Sequence, residues 1–592
     1  MNNCYLFEVS WEVCNKVGGI YTVLKSKASH IKAQFKDNYY LIGPYFPDRK
    51  VVEFGELPPI PVLKPVFDKL LGKGIICHFG QWLIPSSPTV ILIDFSGYLK
   101  NTNQLKAWLW EKYRIDSLGS DFYDYDQPIV WGFAVAELIA AFRDFTKSER
   151  LIVHCHEWLS AGAALGIKGW NIPAKVVFTT HATVLGRTIA GTRDDFYQIW
   201  DNIDADREAY NYRVHTKHLT EKAMARNVDM FTTVSEITGM EAGKFLGRKP
   251  DFILPNGLDL SSFPTFEEIS IKHKLFKRKI KEFMLYTLFP YYSFNIEESF
   301  IFFTASRYEF HGKGLDVFIK ALSYVDRALT KEYRSKTIAT FFWVPAMDVR
   351  GIHPEVLENK TYYEDIKESI VSEIPEIEER LIYRLVANKK ITKRDLFSDK
   401  SLSDLKKKLK RFKRQGSSPR LCSHIIDEAH DPILNEFRVN NLLNKESNAV
   451  KVFLYPIYLT GADGILDLTY YECILGSQFG IFPSYYEPWG YTPVEAASLG
   501  SITLTTDLSG FGRHFLNHYR DKANKGIYVL KRYGLSDREF VKELANQLYK
   551  FALFSRDTRI DNKIAAKSLS KEFDWSKLVK NYFKVYEALL KH

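Results

Sequence analysis

With 592 residues, 46% of them apolar and 15% aromatic, the chain exceeds what one hydrophobic core holds and predicts two or three domains. Its 81 basic and 71 acidic residues leave a net charge of +10, an excess that favours phosphates or other anions only where it clusters at a cleft. No run reaches the ~20 apolar residues of a membrane span, and the six cysteines form no CxxC pair, which excludes a disulfide frame and a cysteine zinc site. The start "MNNCYLFEVSWEV" also lacks the basic and apolar regions of a secretory leader. A reduced, soluble, cytoplasmic protein is expected.

In chain order, "NKVGGIYTVLKSKA" (15–28) sets Lys16 and the pair Gly18-Gly19 ahead of a helical pattern. The glycines let the backbone approach a bulky group and the helix N-terminus attracts anions, although tight turns use the same pair. β-rich runs then alternate with helix-like stretches: "NYYLIGP", "TVILIDF", "RLIVHCH", "AKVVFTTH", "VDMFTTVS" and "DFILPNG". Ser235 is a predicted N-cap for "EITGMEAGKFL". In "HCHEWLSAG" (154–162), His154 and His156 flank Cys155 and precede Glu157. Their i,i+2 spacing on a strand points both rings the same way, without the third ligand usual for zinc. "FTTHATVLGR" (178–187) places His181 at a strand end with Arg187 after it; a lone histidine there fits a core group as well as a catalyst.

A second β-rich series begins near residue 299: "SFIFFTASR", "TIATFFWVPA", "NAVKVFLYP", "FGIFPS", "SITLTT" and "GIYVL". Two such series predict an α/β protein with two doubly wound, Rossmann-like domains facing a cleft. The second series is interrupted: residues 351–435 are charged and helix-prone, including "SDLKKKLKRFKR". This stretch reads as a helical insertion projecting from the second domain. No nucleic-acid motif accompanies its basic run. "SRYEFHGKG" (306–314) presents Arg307 and Lys313 after a strand, where two cations could neutralise a diphosphate. No Asp-x-Asp pair follows a strand to carry magnesium, so no metal is expected.

"YYEPWGYTPVEAASLG" (485–500) sets Glu487 and Glu495 eight positions apart. Thr492-Pro493-Val494-Glu495 has the form of a capping box, with Thr492 as N-cap and Glu495 at N3. Glu487 precedes a proline at the carboxyl end of a strand, the edge at which open α/β sheets bind ligands.

These motifs, in this order, resemble the glycogen synthases of the animal and fungal type, retaining glucosyltransferases of the GT-B fold. The resemblance runs from "NKVGGIYTVLKSKA" through "HEWLSAG", "FTTHATVLGR", "ILPNGL" and "SRYEFHGKG" to "FPSYYEPWGYTPVEAASLG" and "GFG" (510–512). It implies that Glu487 and His181 position the donor glucose and stabilise a cationic sugar. Arg307 and Lys313 would hold the diphosphate in place of a metal, with backbone N–H groups around Tyr491 and Thr492. Glu495 would hold the ribose, Tyr458 and Tyr470 would flank uracil, and Glu157, Arg187 and Asn256 would line the sugar pocket. The implied reaction moves glucose from UDP-glucose to the 4-hydroxyl of an α-1,4-glucan, without a cofactor, in a homo-oligomer resembling the family's tetramers and with a priming protein as a further partner. The spans expected are 1–257 for an acceptor-side domain, 258–574 for a nucleotide-sugar domain with its insertion, and a C-terminal helix, 575–592, returning to the first domain.

The chain departs from the family near its end. "SRDTRIDNKIAAKSLSKEFDW" (555–575) carries only Arg556, Arg559, Lys563, Lys567 and Lys571 as cations, where the resemblance implies an arginine-dense helix that binds glucose 6-phosphate. Weak or absent activation by that effector is expected. Lys16 stands where relatives have arginine. The competing readings are another GT-B glucosyltransferase with ADP-glucose or a different acceptor, and a catalytically silent glucan-binding scaffold.

Overall fold

The computed structural model describes residues 4–48, 52–333, 336–415, 418–522 and 525–591. Residues 1–3 and His592, at the ends of the expected spans, lie outside the described residues. The first sheet is built from β1 (Tyr5–Val9), β2 (Tyr39–Pro44), β3 (Phe54–Glu56), β4 (Ile76–Trp82), β5 (Thr89–Asp94), β6 (Leu151–His156), β7 (Lys175–Thr180), β8 (Met230–Thr233) and β9 (Phe252–Ile253). Their order is β3-β4-β5-β2-β1-β6-β7-β8-β9. β4 runs antiparallel to both neighbours; every other pairing is parallel. The alternating side chains of β1 divide between two cores. Phe7 and Val9 join the core that includes the helix Gln127–Thr146. Leu6 faces the helices Gly19–Phe35 and Trp575–Lys591.

The second sheet contains β10 (Phe300–Ala305), β11 (Ile338–Trp343), β12 (Val450–Tyr455), β13 (Phe479–Ile481), β14 (Ile502–Thr506) and β15 (Ile527–Leu530), in the all-parallel order β12-β11-β10-β13-β14-β15. Helices Leu315–Glu332 and Asp537–Leu553 cover one face, and Phe266–Leu288 and Tyr470–Gly476 cover the other. The strands are buried on both faces, which is why they read as continuous apolar runs. In each sheet the strand order reverses beside one strand: next to β1 in the first, next to β10 in the second. Such switch points open a crevice at the carboxyl ends of the flanking strands.

The helices Pro354–Val386 and Asp399–Phe412 pack on each other, and the first of them packs on Phe266–Leu288. The projecting part of the 351–435 stretch ends with that pair, because the helix Pro432–Val439 rejoins the second core through Ile433, Leu434 and Phe437. The chain then crosses back at Leu258, whose N–H donates to Phe573 O and whose carbonyl accepts from Trp575 N–H. The final helix docks on the first domain, with Trp575 Nε1 donating to Ser26 Oγ at 2.7 Å. Among the described residues no helix is long and apolar enough to cross a membrane.

Candidate active site

The loops after β10 and β13 meet at the second switch point. Gly314 has φ +68°, and a Cβ there would stand 2.0 Å from Pro483 O, so only glycine lets the two loops close on each other. This contact sets Lys313 Nζ 2.6 Å from Glu487 Oε2 and 3.9 Å from Glu309 Oε2. Lys313 and Glu487 are largely shielded from solvent, whereas the Arg307 side chain is 72% exposed and, among the described residues, bridges only to Glu309, at 2.9 Å. A diphosphate entering here would meet one cation held by a carboxylate and one nearly free.

Glu495 departs from the capping reading. The helix runs Tyr491–Ser498, its N-cap is Gly490 at φ +100°, and no side chain caps it. Thr492 therefore lies inside the first turn. The Glu495 carboxylate instead accepts from Tyr470 OH at 2.9 Å and Tyr471 OH at 3.1 Å, and burial raises its pKa. Both tyrosines come from the helix Tyr470–Gly476, whose own capping box is formed by Thr469 and Glu472. Tyr491 lies half-buried, with its hydroxyl unpartnered among the described residues. Tyr458 is 76% exposed on the loop after β12, two residues before Thr460, which bridges to Thr469.

Across the cleft, Glu157 follows β6 with φ +64°, a left-handed conformation that costs a non-glycine residue about 1 kcal/mol or more. In that pose its Oε1 accepts from His181 N–H at 2.9 Å and Ala182 N–H at 3.2 Å, tying the ends of β6 and β7 together. Burial raises the Glu157 pKa despite the nearby Arg187. For Arg187, burial lowers the pKa but Glu157 and other anions outweigh it, keeping the guanidinium charged. Asn256 is buried with Oδ1 unpartnered among the described residues. Lys16 is exposed and lies 5.9 Å from the Tyr21 ring.

The glycine pair has a partner that no motif announced. Glu12 Oε2 accepts from both Gly18 N–H and Tyr21 N–H at 2.8 Å. A Cβ on Gly18 would meet Glu12 Oε1 at 2.9 Å, while Gly19 faces open space. Gly18 thus serves the carboxylate beneath it, and Gly19 leaves room for a ligand.

A cavity of about 420 Å³ joins the two edges, lined by Arg187 and Asp194 from the first domain and by Arg307, Lys313, Tyr486 and Pro488 from the second. Its walls are fixed by contacts between domains. Tyr485 OH accepts from Tyr197 N–H at 3.1 Å, Tyr486 OH donates to Glu241 at 3.1 Å, and Ser235 Oγ donates to Pro488 O at 2.6 Å. Ser235 is the N-cap its sequence predicts, accepting from Thr238 N–H; its second bond, to the other domain, leaves no local signature.

The two-histidine strand does acquire a third acidic neighbour, because β1 pairs beside β6 and sets Glu8 opposite His154. That carboxylate already receives Lys27 Nζ, Tyr39 OH and His156 Nε2. A buried ammonium occupies the position a metal would need, so this donor set does not fit a cation.

A larger cavity, about 990 Å³, lies between the helices Phe266–Leu288 and Arg556–Ser570. It gathers Lys274, Lys277, Arg278 and Lys281 from the first helix with Arg556, Arg559 and Lys563 from the second. Burial lowers Lys277 to about 8 and Lys563 to about 7. The cation count taken over 555–575 alone therefore understates the positive charge available, because four of the seven lysines and arginines lining the cavity arrive from nearly 300 positions earlier. All of the lining belongs to the second domain.

The family model described as glycogen synthase matches residues 8–592. The chain is 35% identical to a glycogen [starch] synthase of Dictyostelium discoideum, over 99% of this chain and 66% of that protein. It is 34% identical to a glycogen [starch] synthase of Neurospora crassa, over 100% of this chain and 84% of the relative. Among solved structures, the catalytic domain of starch synthase IV from Arabidopsis thaliana, bound to ADP and acarbose, superposes with a TM-score of 0.51 at 14% identity, covering 100% of both chains. At that identity the likeness concerns the fold.

Proposed function

Because the chain belongs to the glycogen synthase family, we propose that it is a retaining glucosyltransferase of GT-B fold that moves glucose from UDP-glucose to the non-reducing 4-hydroxyl of an α-1,4-glucan. The observation that carries this reading is one cavity lined by Lys313 and Arg307 from one switch point and by Arg187 from the other, with Glu487 paired to Lys313, and with Glu157, which holds His181 N–H, close to Arg187.

In this reading the diphosphate takes Lys313 away from Glu487 and draws Arg307 out of solvent, so that fixed cations stabilise charge on the leaving group without a metal. Glu487, released from the lysine, faces the sugar as positive charge develops at its anomeric carbon. Attack on the face from which phosphate leaves retains configuration, with that phosphate taking the acceptor proton. Glu495 and Tyr470 hold the nucleoside, with Tyr458, Tyr491 and Thr492 around it, and Asn256 and Gly19 border the sugar. The protein acts in the cytoplasm on glycogen or a related glucan, with a priming protein as partner.

Two further features extend the proposal. On the helix Pro354–Val386, Val371, Ile374, Ile382 and Leu385 are exposed and fall on one helical stripe, suited to self-association of the insertion. The 990 Å³ cavity can hold a phosphate ester, but its lining does not straddle the cleft. Binding there has no direct hold on closure within one chain, so glucose 6-phosphate changes the rate little. The test offers labelled UDP-glucose and ADP-glucose separately with glycogen, with and without glucose 6-phosphate. Incorporation from UDP-glucose that changes less than about threefold with effector is expected. Preference for ADP-glucose overturns the donor assignment, and activation of about tenfold or more overturns the regulatory one.

A further inference from the structure

Behind the cleft, on the face of the first sheet beneath the helices Gly19–Phe35 and Trp575–Lys591, runs a chain of hydrogen bonds that the proposed reaction does not use. Glu8 on β1 and His156 on β6 are buried side by side. Glu8 accepts from Lys27 Nζ, from Tyr39 OH at 2.6 Å and, through Oε1, from His156 Nε2 at 2.7 Å. The other nitrogen of His156, Nδ1, lies 3.0 Å from His181 Nε2.

Protons can be placed along this chain from donor and acceptor chemistry together with burial. Glu8 receives an ammonium and a phenol, so it is an ionised carboxylate and can only accept. Burial raises its pKa, but Lys27 and the other donors outweigh that and hold it low. The proton between Glu8 and His156 therefore sits on His156 Nε2. Burial, with Lys27 close by, holds His156 neutral, and a neutral imidazole has a single N–H. Its Nδ1 must accept, so His181 Nε2 must donate. His181 is itself kept neutral, first by burial and then by its cationic and imidazole neighbours. Its remaining nitrogen, Nδ1, then carries a lone pair.

We propose that Glu8 and His156 are positioning residues for His181, fixing the tautomer in which Nε2–H is held by the protein and Nδ1 is left to accept a hydrogen bond from a hydroxyl of the transferred sugar. The outer imidazole is oriented by a second one, and that one by an anion, as a buried carboxylate orients a catalytic histidine elsewhere. Within this arrangement His181 does not protonate the leaving phosphate at neutral pH; it orients the donor. The C-terminal helix closes the chain from behind. The Tyr582 ring lies 4.1 Å from Lys27 Nζ, and Tyr586 OH bonds His154 Nδ1 at 2.8 Å. The His154 ring stacks on His156 at 4.3 Å. The effect on rate rests on the proposed transfer reaction; the tautomer does not.

The test uses the full chain labelled with 15N-histidine, with the His181 resonances assigned by their loss in His181→Gln. Nitrogen shifts and two-bond couplings at neutral pH are expected to show Nε2 protonated and Nδ1 bare. In His156→Gln the new amide still reaches Glu8, which keeps the buried Lys27 paired, but it no longer reaches His181. That variant is expected to mix the His181 tautomers and lower kcat by about tenfold or more with KM for UDP-glucose nearly unchanged. His156→Asn, whose carboxamide can present an oxygen to His181, recovers part of the loss. A wild-type His181 protonated on Nδ1, or on both nitrogens, overturns the proposal, as does an unchanged tautomer and kcat in His156→Gln. The shifts are read without turnover. A chain that transfers no glucose therefore refutes the assigned reaction and leaves the relay to be decided by its nitrogens.

Discussion

Replacing Glu487 by glutamine removes one charge while keeping the shape of the side chain, and the structure predicts two effects of opposite sign. In the free enzyme the carboxylate sits 2.6 Å from Lys313 Nζ, and both groups are largely shielded from water. A diphosphate must take the lysine from that carboxylate. Close, shielded charge pairs couple by about 1.5 kcal/mol or more, so the neutral amide tightens UDP binding by roughly tenfold or more. In the proposed reaction the same carboxylate faces developing positive charge on the sugar. Losing it costs on the order of 3 kcal/mol, about 100-fold in kcat. Calorimetric titration with UDP and initial rates of glucose incorporation measure the two effects separately. Near-normal kcat, or UDP affinity falling in parallel with the rate, would refute the reasoning, since either result removes Glu487 from opposition to Lys313.

Other expectations follow from the same geometry. Lys313→Ala and Arg307→Ala each weaken UDP-glucose binding and slow transfer, Lys313→Ala by more because its ammonium is buried against Glu487; inhibition by a chelator that magnesium reverses would contradict the metal-free account. Burial pushes the carboxyl of Glu221 up to about 8 and that of Glu241 up to about 7. These folded values lie above the unfolded one, so the folded state holds protons that the unfolded chain releases, and stability falls as pH rises from about 4.5 to about 8. Tm measured by calorimetry should drop across that window and flatten in Glu221→Gln, whose amide oxygen can still accept from Val184 N–H and whose NH2 can turn to Thr180 Oγ1, the hydroxyl that donates to the native carboxyl; a climbing Tm is the opposite sign. Ile374→Lys with Ile382→Lys should yield a smaller assembly by light scattering, and a wild-type monomer would remove the basis for self-association.

Much of this architecture can be read from the sequence because parallel strands covered by helices on both faces must be apolar throughout, as "FIFFTA" and "TVILID" are. β1 escapes that reading. Its run is short, and Glu8 in its middle looks like a surface residue until Lys27, Tyr39 and His156 are seen to converge on it. β4 escapes too, because its antiparallel pairing tolerates polar residues such as His78 and Gln81. Glu487, Lys313 and His181 are legible through their places after strands. Glu12 is not, since its partners are backbone N–H groups that no residue type advertises. The capping reading of Glu495 fails for a related reason: with Gly490 at φ +100° as N-cap, the helix starts two residues early, and two tyrosine hydroxyls from another helix take the carboxylate. The cation-rich cavity is invisible to a local count because Lys277 and Lys563 meet only in three dimensions.

The central claim, that the paired switch points form one site transferring glucose with retention, is tested most directly by the linkage made. UDP-glucose carrying 13C at the anomeric carbon, incubated with the full chain and a maltooligosaccharide, should give a product whose labelled carbon resonates as an α-anomeric centre joined to O4 of the former terminal glucose. A β-linked product, or label released only as free glucose, would contradict the account.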